Sequence, residues 1–130
     1  MASARTSRIA AEVRSAISGA LVRGELNDPR IANVGLVTVT RVEVSGDLGI
    51  AWVAVVAHDV AELDAKARAA RDQSLLEGFA RASGMLRAMI ARRLNTKKTP
   101  ELRFSIDQRL DEELKLQALL REIGPADKPK

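Results

Sequence analysis

Apolar and polar positions alternate with a period that changes along the chain, and each change marks an element. From Ser3 to Glu25, Ile9, Val13, Ile17, Ala20 and Leu21 recur at three- and four-residue intervals. That is the stripe of an amphipathic helix, decorated by Arg5, Arg8, Arg14 and Arg23. Asn27-Asp28-Pro29 stops it, because the residue before a proline is pushed out of the helical region. Residues 36–44, LVTVTRVEV, are rich in β-branched side chains and predict a strand. Its alternation changes phase between Val39 and Val42, and a bulge near Thr40–Arg41 reconciles the two halves. Ser45-Gly46-Asp47 is turn chemistry. Residues 50–57, IAWVAVVA, are apolar on both faces, which predicts a central strand paired with the first in a hairpin.

From Leu63 to Leu94 the period is helical again, and Lys97-Lys98-Thr99-Pro100 closes the segment. In ELRFSID, Leu102, Phe104 and Ile106 alternate with Arg103 and Ser105, a third strand with one polar face. Leu110, Leu114, Leu119, Leu120 and Ile123 predict a last helix. Gly124-Pro125 ends it, leaving 124–130 as a flexible tail behind a single domain of residues 1–123. The order helix, strand, strand, long helix, strand, helix is solved economically by an α+β fold, a three-stranded sheet with helices on one face.

Composition sharpens this picture in two ways. Aromatics make up 2% of the chain, so its core must be aliphatic. There is no cysteine, which excludes disulfides and thiolate metal sites. No apolar run is long enough to span a membrane or to act as a secretory signal, so the expected location is the cytoplasm. The charge, +4 overall, is segregated. Residues 81–103 carry Arg81, Arg87, Arg92, Arg93, Lys97, Lys98 and Arg103 against one acid, Glu101, while residues 25–80 are net acidic. Guanidinium forks match phosphate oxygens, so arginine gathered in this way favours nucleic acid; a solvated helix face is the plainer alternative.

Catalytic chemistry finds little support. His58 is the sole histidine and has no partner in sequence. Asp111, Glu112 and Glu113 diverge by about 100° each on a helix and complement its N-terminal dipole. No phosphate-binding glycine loop and no metal-ligand spacing occurs. The chain is therefore expected to be no enzyme and to need no cofactor or metal.

One detail stands out within the long helical segment. On a wheel, Phe79, Ala82, Met85, Leu86, Met89 and Ile90 share a broad face, and Gly84 lies nearly opposite. Ala80, Ala88 and Ala91 lie on the outward face with Gly84, flanked by Arg81, Arg87 and Arg92. Glycine inside a helix is less favourable than alanine by about 1 kcal/mol. Gly84 could simply face solvent, mark a break between two helices, or let a phosphate backbone come close.

NDPRI (27–31), GLVTVTRVEVSGDL (35–48) and RASGMLRAMIARRL…KKTPELRFSID (81–107) together resemble the ribosome-binding factor A family. The resemblance spans roughly Arg5 to Ile123. It implies a fold like a type II KH domain, with Ala82-Ser83-Gly84 at the helix–kink–helix in place of the usual GXXG loop. It also implies binding to the small ribosomal subunit and its 16S rRNA, maturation of that rRNA, and a role in cold adaptation. Ala32-Asn33-Val34 lengthens one connection relative to the family, and Arg41 stands where an acid is frequent. With the charge pattern, the expected RNA contacts are Arg81, Ala82, Ser83, Gly84, Arg87, Arg92, Arg93, Lys97 and Lys98, then Arg5, Arg8 and Arg30. The free protein is expected to be a monomer. The rival reading is a protein-interaction or dimerisation module built on the apolar second strand, without direct RNA binding; Trp52 in that strand is read either as covered core or as a platform on which a base stacks.

Overall fold

The computed structural model describes residues 3–58, 62–95, 97–108, 116, 117, 119 and 120. Helix α1 spans Ala4–Val22. Ser3 caps it in a capping box with Thr6: the Thr6 amide donates to Ser3 Oγ (3.1 Å) and the Ser3 amide to Thr6 Oγ1 (2.9 Å). A short helix not foreseen from the sequence, α2 (Pro29–Ala32), follows. Asp28 caps it by accepting the Arg30 amide at 2.9 Å, and Pro29 opens it, so the residues that end one helix start the next.

Strands β1 (Leu36–Val44) and β2 (Ile50–His58) form an antiparallel hairpin, and β3 (Glu101–Ile106) adds parallel to β2. The order β1-β2-β3 puts the apolar strand at the centre. The register shifts between Val39 and Arg41, so the bulge falls where the phase change predicts. It leaves Val37, Val39, Val42 and Val44 opposite Ala57, Val55, Val53 and Ala51, all on the side that meets the helices. Trp52, Arg103 and Ser105 lie on the other face, beside Arg41 and Glu43. The hairpin turn is closed by the Ser45 amide donating to Ile50 O and the Leu48 amide to Ser45 O, both 2.9 Å. Leu48 adopts the left-handed region (φ 62) while its side chain is buried.

Helix α3 is one continuous element from Ala65 to Arg93, capped by Asp64. The expected division into two helices at Ala82-Ser83-Gly84 is corrected here: the backbone stays helical through all three residues. Ser83 Oγ donates to Ala80 O at 2.8 Å, one turn back, so the serine is accommodated inside the helix with its hydroxyl satisfied.

The core lies between the sheet and α1 with α3. Ile9, Val13, Ile17 and Ala20 from α1 meet Leu75, Phe79, Leu86 and Ile90 from α3. Phe79 stacks on Phe104 of β3, ring centroids 4.7 Å apart. Met85, expected on the core face, is 45% exposed, because the buried stripe of α3 is narrower than the wheel indicates. In the predicted last helix, Leu110, Leu114 and Ile123 fall outside the described residues; Leu119 and Leu120 are exposed.

Candidate nucleic-acid interface

Arg81, Gly84, Ala88, Ala91 and Arg92 are all exposed and fall within about 100° of arc on α3. Two arginines thus bracket a strip without long side chains, about 16 Å from end to end at 1.5 Å per residue. A Cβ built on Gly84 meets no atom within 4 Å. The glycine is therefore not required by packing within the chain. Neither Arg81 nor Arg92 makes an ion pair or hydrogen bond with other described residues.

The other predicted contacts divide by whether the chain already uses them. Arg87 donates from Nε to Pro100 O (3.0 Å) and from Nη2 to Thr99 O (2.9 Å), joining α3 to the loop before β3. That loop carries Lys97 and Lys98, both exposed. Its far end is tied to the hairpin turn, where the Glu101 amide donates to Gly49 O at 2.9 Å. In the same turn Asp47 Oδ1 accepts from Ser45 Oγ (2.7 Å) and from the Gly49 amide (3.0 Å). These bonds, the serine's above all, and the nearby charge of Lys98 hold the Asp47 carboxyl below its ordinary range. Lys98 is thus partly engaged by an acid, whereas Lys97 has no partner among the described residues.

Arg93 turns the opposite way, donating from Nη1 to Ser15 Oγ at 3.0 Å with Glu12 Oε2 at 3.9 Å. It fastens the end of α3 to the middle of α1. Arg8 is one turn before Glu12, and Arg5 is three residues before Arg8, on that side of α1. Arg5 and Arg8 therefore share a side of α1 with the Arg93 contact. Arg30 is placed elsewhere: it pairs with Asp28 at 3.7 Å, its Nη1 is buried without a hydrogen bond, and its Cβ lies 3.0 Å from where a Gly78 Cβ would be. Ala82 and Ser83 are partly buried, so of the Ala-Ser-Gly motif Gly84 is the fully accessible member.

Two residues with structural roles here escape a reading of the sequence. Gly78 admits α2 against α3; its signal is a glycine set inside the apolar stripe, next to Phe79. Arg14 donates to Val39 O (3.2 Å) and Thr40 O (3.3 Å), covering carbonyls of the bulge at the sheet edge. An apolar groove of about 440 Å³ between the end of α1, α2 and β1 contains no titratable side chain. Among the described residues, no three His, Cys, Asp or Glu are grouped to hold a metal ion, and no helix is long and apolar enough to cross a membrane. Trp52 is 45% exposed on the sheet face away from the helices.

The family model for ribosome-binding factor A matches residues 5–120. A ribosome-binding factor A of Sorangium cellulosum is 42% identical over 119 residues, covering 92% of this chain and 88% of that protein. The crystal structure of the Thermus thermophilus factor is 27% identical, with a TM-score of 0.57 over 78% of this chain and 94% of that one. A homology model of the Thermus thermophilus factor, fitted into the cryo-EM map of a 30S complex, is 28% identical with a TM-score of 0.54. That match covers 75% of this chain and 90% of the other. The α+β arrangement here is the KH-like fold of those structures.

Proposed function

This chain belongs to the ribosome-binding factor A family, and from that premise we propose that it binds the small ribosomal subunit through its 16S rRNA during subunit maturation. The observation that carries the rRNA contact is the exposed strip Gly84-Ala88-Ala91, with Arg81 and Arg92 at its ends making no bond to another described residue. Small residues let a sugar–phosphate backbone approach the helix, and the bracketing guanidinium groups take its charge. Lys97, Arg5 and Arg8 extend the footprint, with Lys98 shared between Asp47 and the RNA. Arg93 contributes charge from a position tied within the fold, and Arg30, paired with Asp28, stands apart from this footprint.

The action is binding without covalent chemistry. A protein that prefers one folded arrangement of the rRNA shifts the population toward it, by no more than its difference in affinity for the two arrangements. Such a role fits 16S rRNA processing and adaptation to cold, where misfolded RNA is slow to escape. It also fits a cytoplasmic protein that is a monomer when free. The Thermus thermophilus factor was fitted into the map of a complex with 30S, which supports the small subunit as the partner of this chain. Chemical footprinting of small-subunit rRNA tests the proposal. A protected segment that disappears with Arg81→Glu/Arg92→Glu supports it, and an unchanged reactivity pattern at saturating protein opposes it.

A further inference from the structure

We infer that Arg87 is a positioning residue that sets the Lys97–Lys98 loop against α3, rather than a phosphate contact; the inference rests on the rRNA-binding reading above. Its charge and its place beside the strip make it look like one more contact. Its geometry is different. Two donors of one guanidinium meet two consecutive carbonyls, Thr99 O at 2.9 Å and Pro100 O at 3.0 Å. A planar fork makes such a pair of bonds with little further ordering, whereas a lysine ammonium is a single point of charge and cannot reproduce it.

Pro100 has no amide hydrogen, and its ring is fully buried, so its carbonyl is the group left to fasten. The next bond along the chain is Glu101 N–H to Gly49 O, across on the hairpin turn. Arg87 therefore holds the helix side of the loop and Gly49 the turn side. Lys97 and Lys98 lie just before the tied Thr99, in the short segment that leads from the end of α3 at Arg93 to the Arg87 bonds. Releasing the helix side leaves the lysines present but no longer preset, so binding must order them.

The test compares Arg87→Lys, Arg87→Gln and Arg92→Gln in the full chain. It uses small-subunit affinity at several salt concentrations and amide exchange over residues 97–101 in the free protein. The expected result is that both Arg87 variants bind roughly tenfold more weakly, about the worth of one charge-assisted hydrogen bond. They keep the wild-type salt slope and exchange faster at 97–101, while α1 amides do not change. Arg92→Gln should instead lower the slope by about 0.7 to 0.9 and leave the loop's exchange alone. Arg87→Lys binding like wild type while Arg87→Gln loses slope, with exchange unchanged, would make Arg87 a direct contact and overturn the inference. An equal rise of exchange in α1, or no change in either measurement, overturns it as well. Failure of the wild-type protein to bind the subunit at low salt would sink the rRNA reading, and the exchange data would still decide the brace.

Discussion

Gly78 of α3 lies so close to Ile31 of α2 that a Cβ on the glycine would stand 3.0 Å from Ile31 Cγ1. The same Cβ would stand 3.0 Å from Arg30 Cβ. Both atoms are near the roots of their side chains and move little without the backbone of α2. Alanine gains up to about 1 kcal/mol in helix propensity, but overpacking a close contact costs about 1–3 kcal/mol. Gly78→Ala should therefore lower stability by about 1 kcal/mol, read as an earlier urea midpoint at unchanged m. Gly78→Val should be worse.

Gly84 is the opposite case. It is exposed, mid-helix and free of neighbours within 4 Å. Gly84→Ala should raise stability by about 0.5–1 kcal/mol. If an RNA backbone approaches here, the same change should weaken subunit binding, and Gly84→Leu should weaken it further while the protein stays folded. A thermal melt and a binding isotherm on one preparation check both arms. Tighter or equal binding by the leucine variant would remove the docking role.

Thr40 stands in the bulge of β1 and reaches across the sheet, with Oγ1 2.7 Å from Asp107 Oδ2 and 3.2 Å from Ala54 O. Its proton goes to the nearer acceptor, the carboxylate. Thr40→Val keeps the shape and removes the donor, so a carboxylate oxygen loses a partner in a partly buried place. The expected loss is about 1–2 kcal/mol, measurable by denaturant unfolding. Thr40→Ser should retain most of the bond.

The Asp47 carboxyl is depressed by its bonds to Ser45 Oγ and the Gly49 amide and by Lys98. The sign follows directly. A carboxylate with a lower pKa folded than unfolded adds stability above its unfolded value and loses it as pH falls through the folded one. The turn should therefore loosen only below about pH 4. Amide exchange at Gly49 should rise there with acid in the wild type and be insensitive to pH, after correction for intrinsic rates, in Asp47→Asn.

Much of this fold is readable from the sequence because local chemistry and periodicity agree. The phase change in LVTVTRVEV places the bulge, since four valines can share a face only if one residue is left over. IAWVAVVA reads as central because it is apolar at nearly every position, and it is flanked by a strand on each edge. What escapes depends on partners distant in sequence. Arg87 and Arg92 are alike in sequence, yet one is spent on carbonyls 12 and 13 residues away and the other is not. Gly84 stands out in the sequence as a poor helix former, while Gly78, the glycine that packing requires, is hidden in an apolar stripe. The division expected at Ala82-Ser83-Gly84 rests on the family resemblance and not on local chemistry, and the backbone is helical through all three residues.

Co-sedimentation with purified small subunits tests the central claim most directly, comparing the wild type with Arg81→Glu/Arg92→Glu at low and at raised salt. Neither arginine is tied to another described residue, so the variant should fold normally. The wild type should pellet with the subunit at about 50 mM salt and progressively leave it toward about 200 mM, as phosphate-dominated binding requires. The variant should stay in the supernatant throughout. A folded variant that pellets as well as the wild type, or a wild type that never pellets, would contradict rRNA binding through this strip.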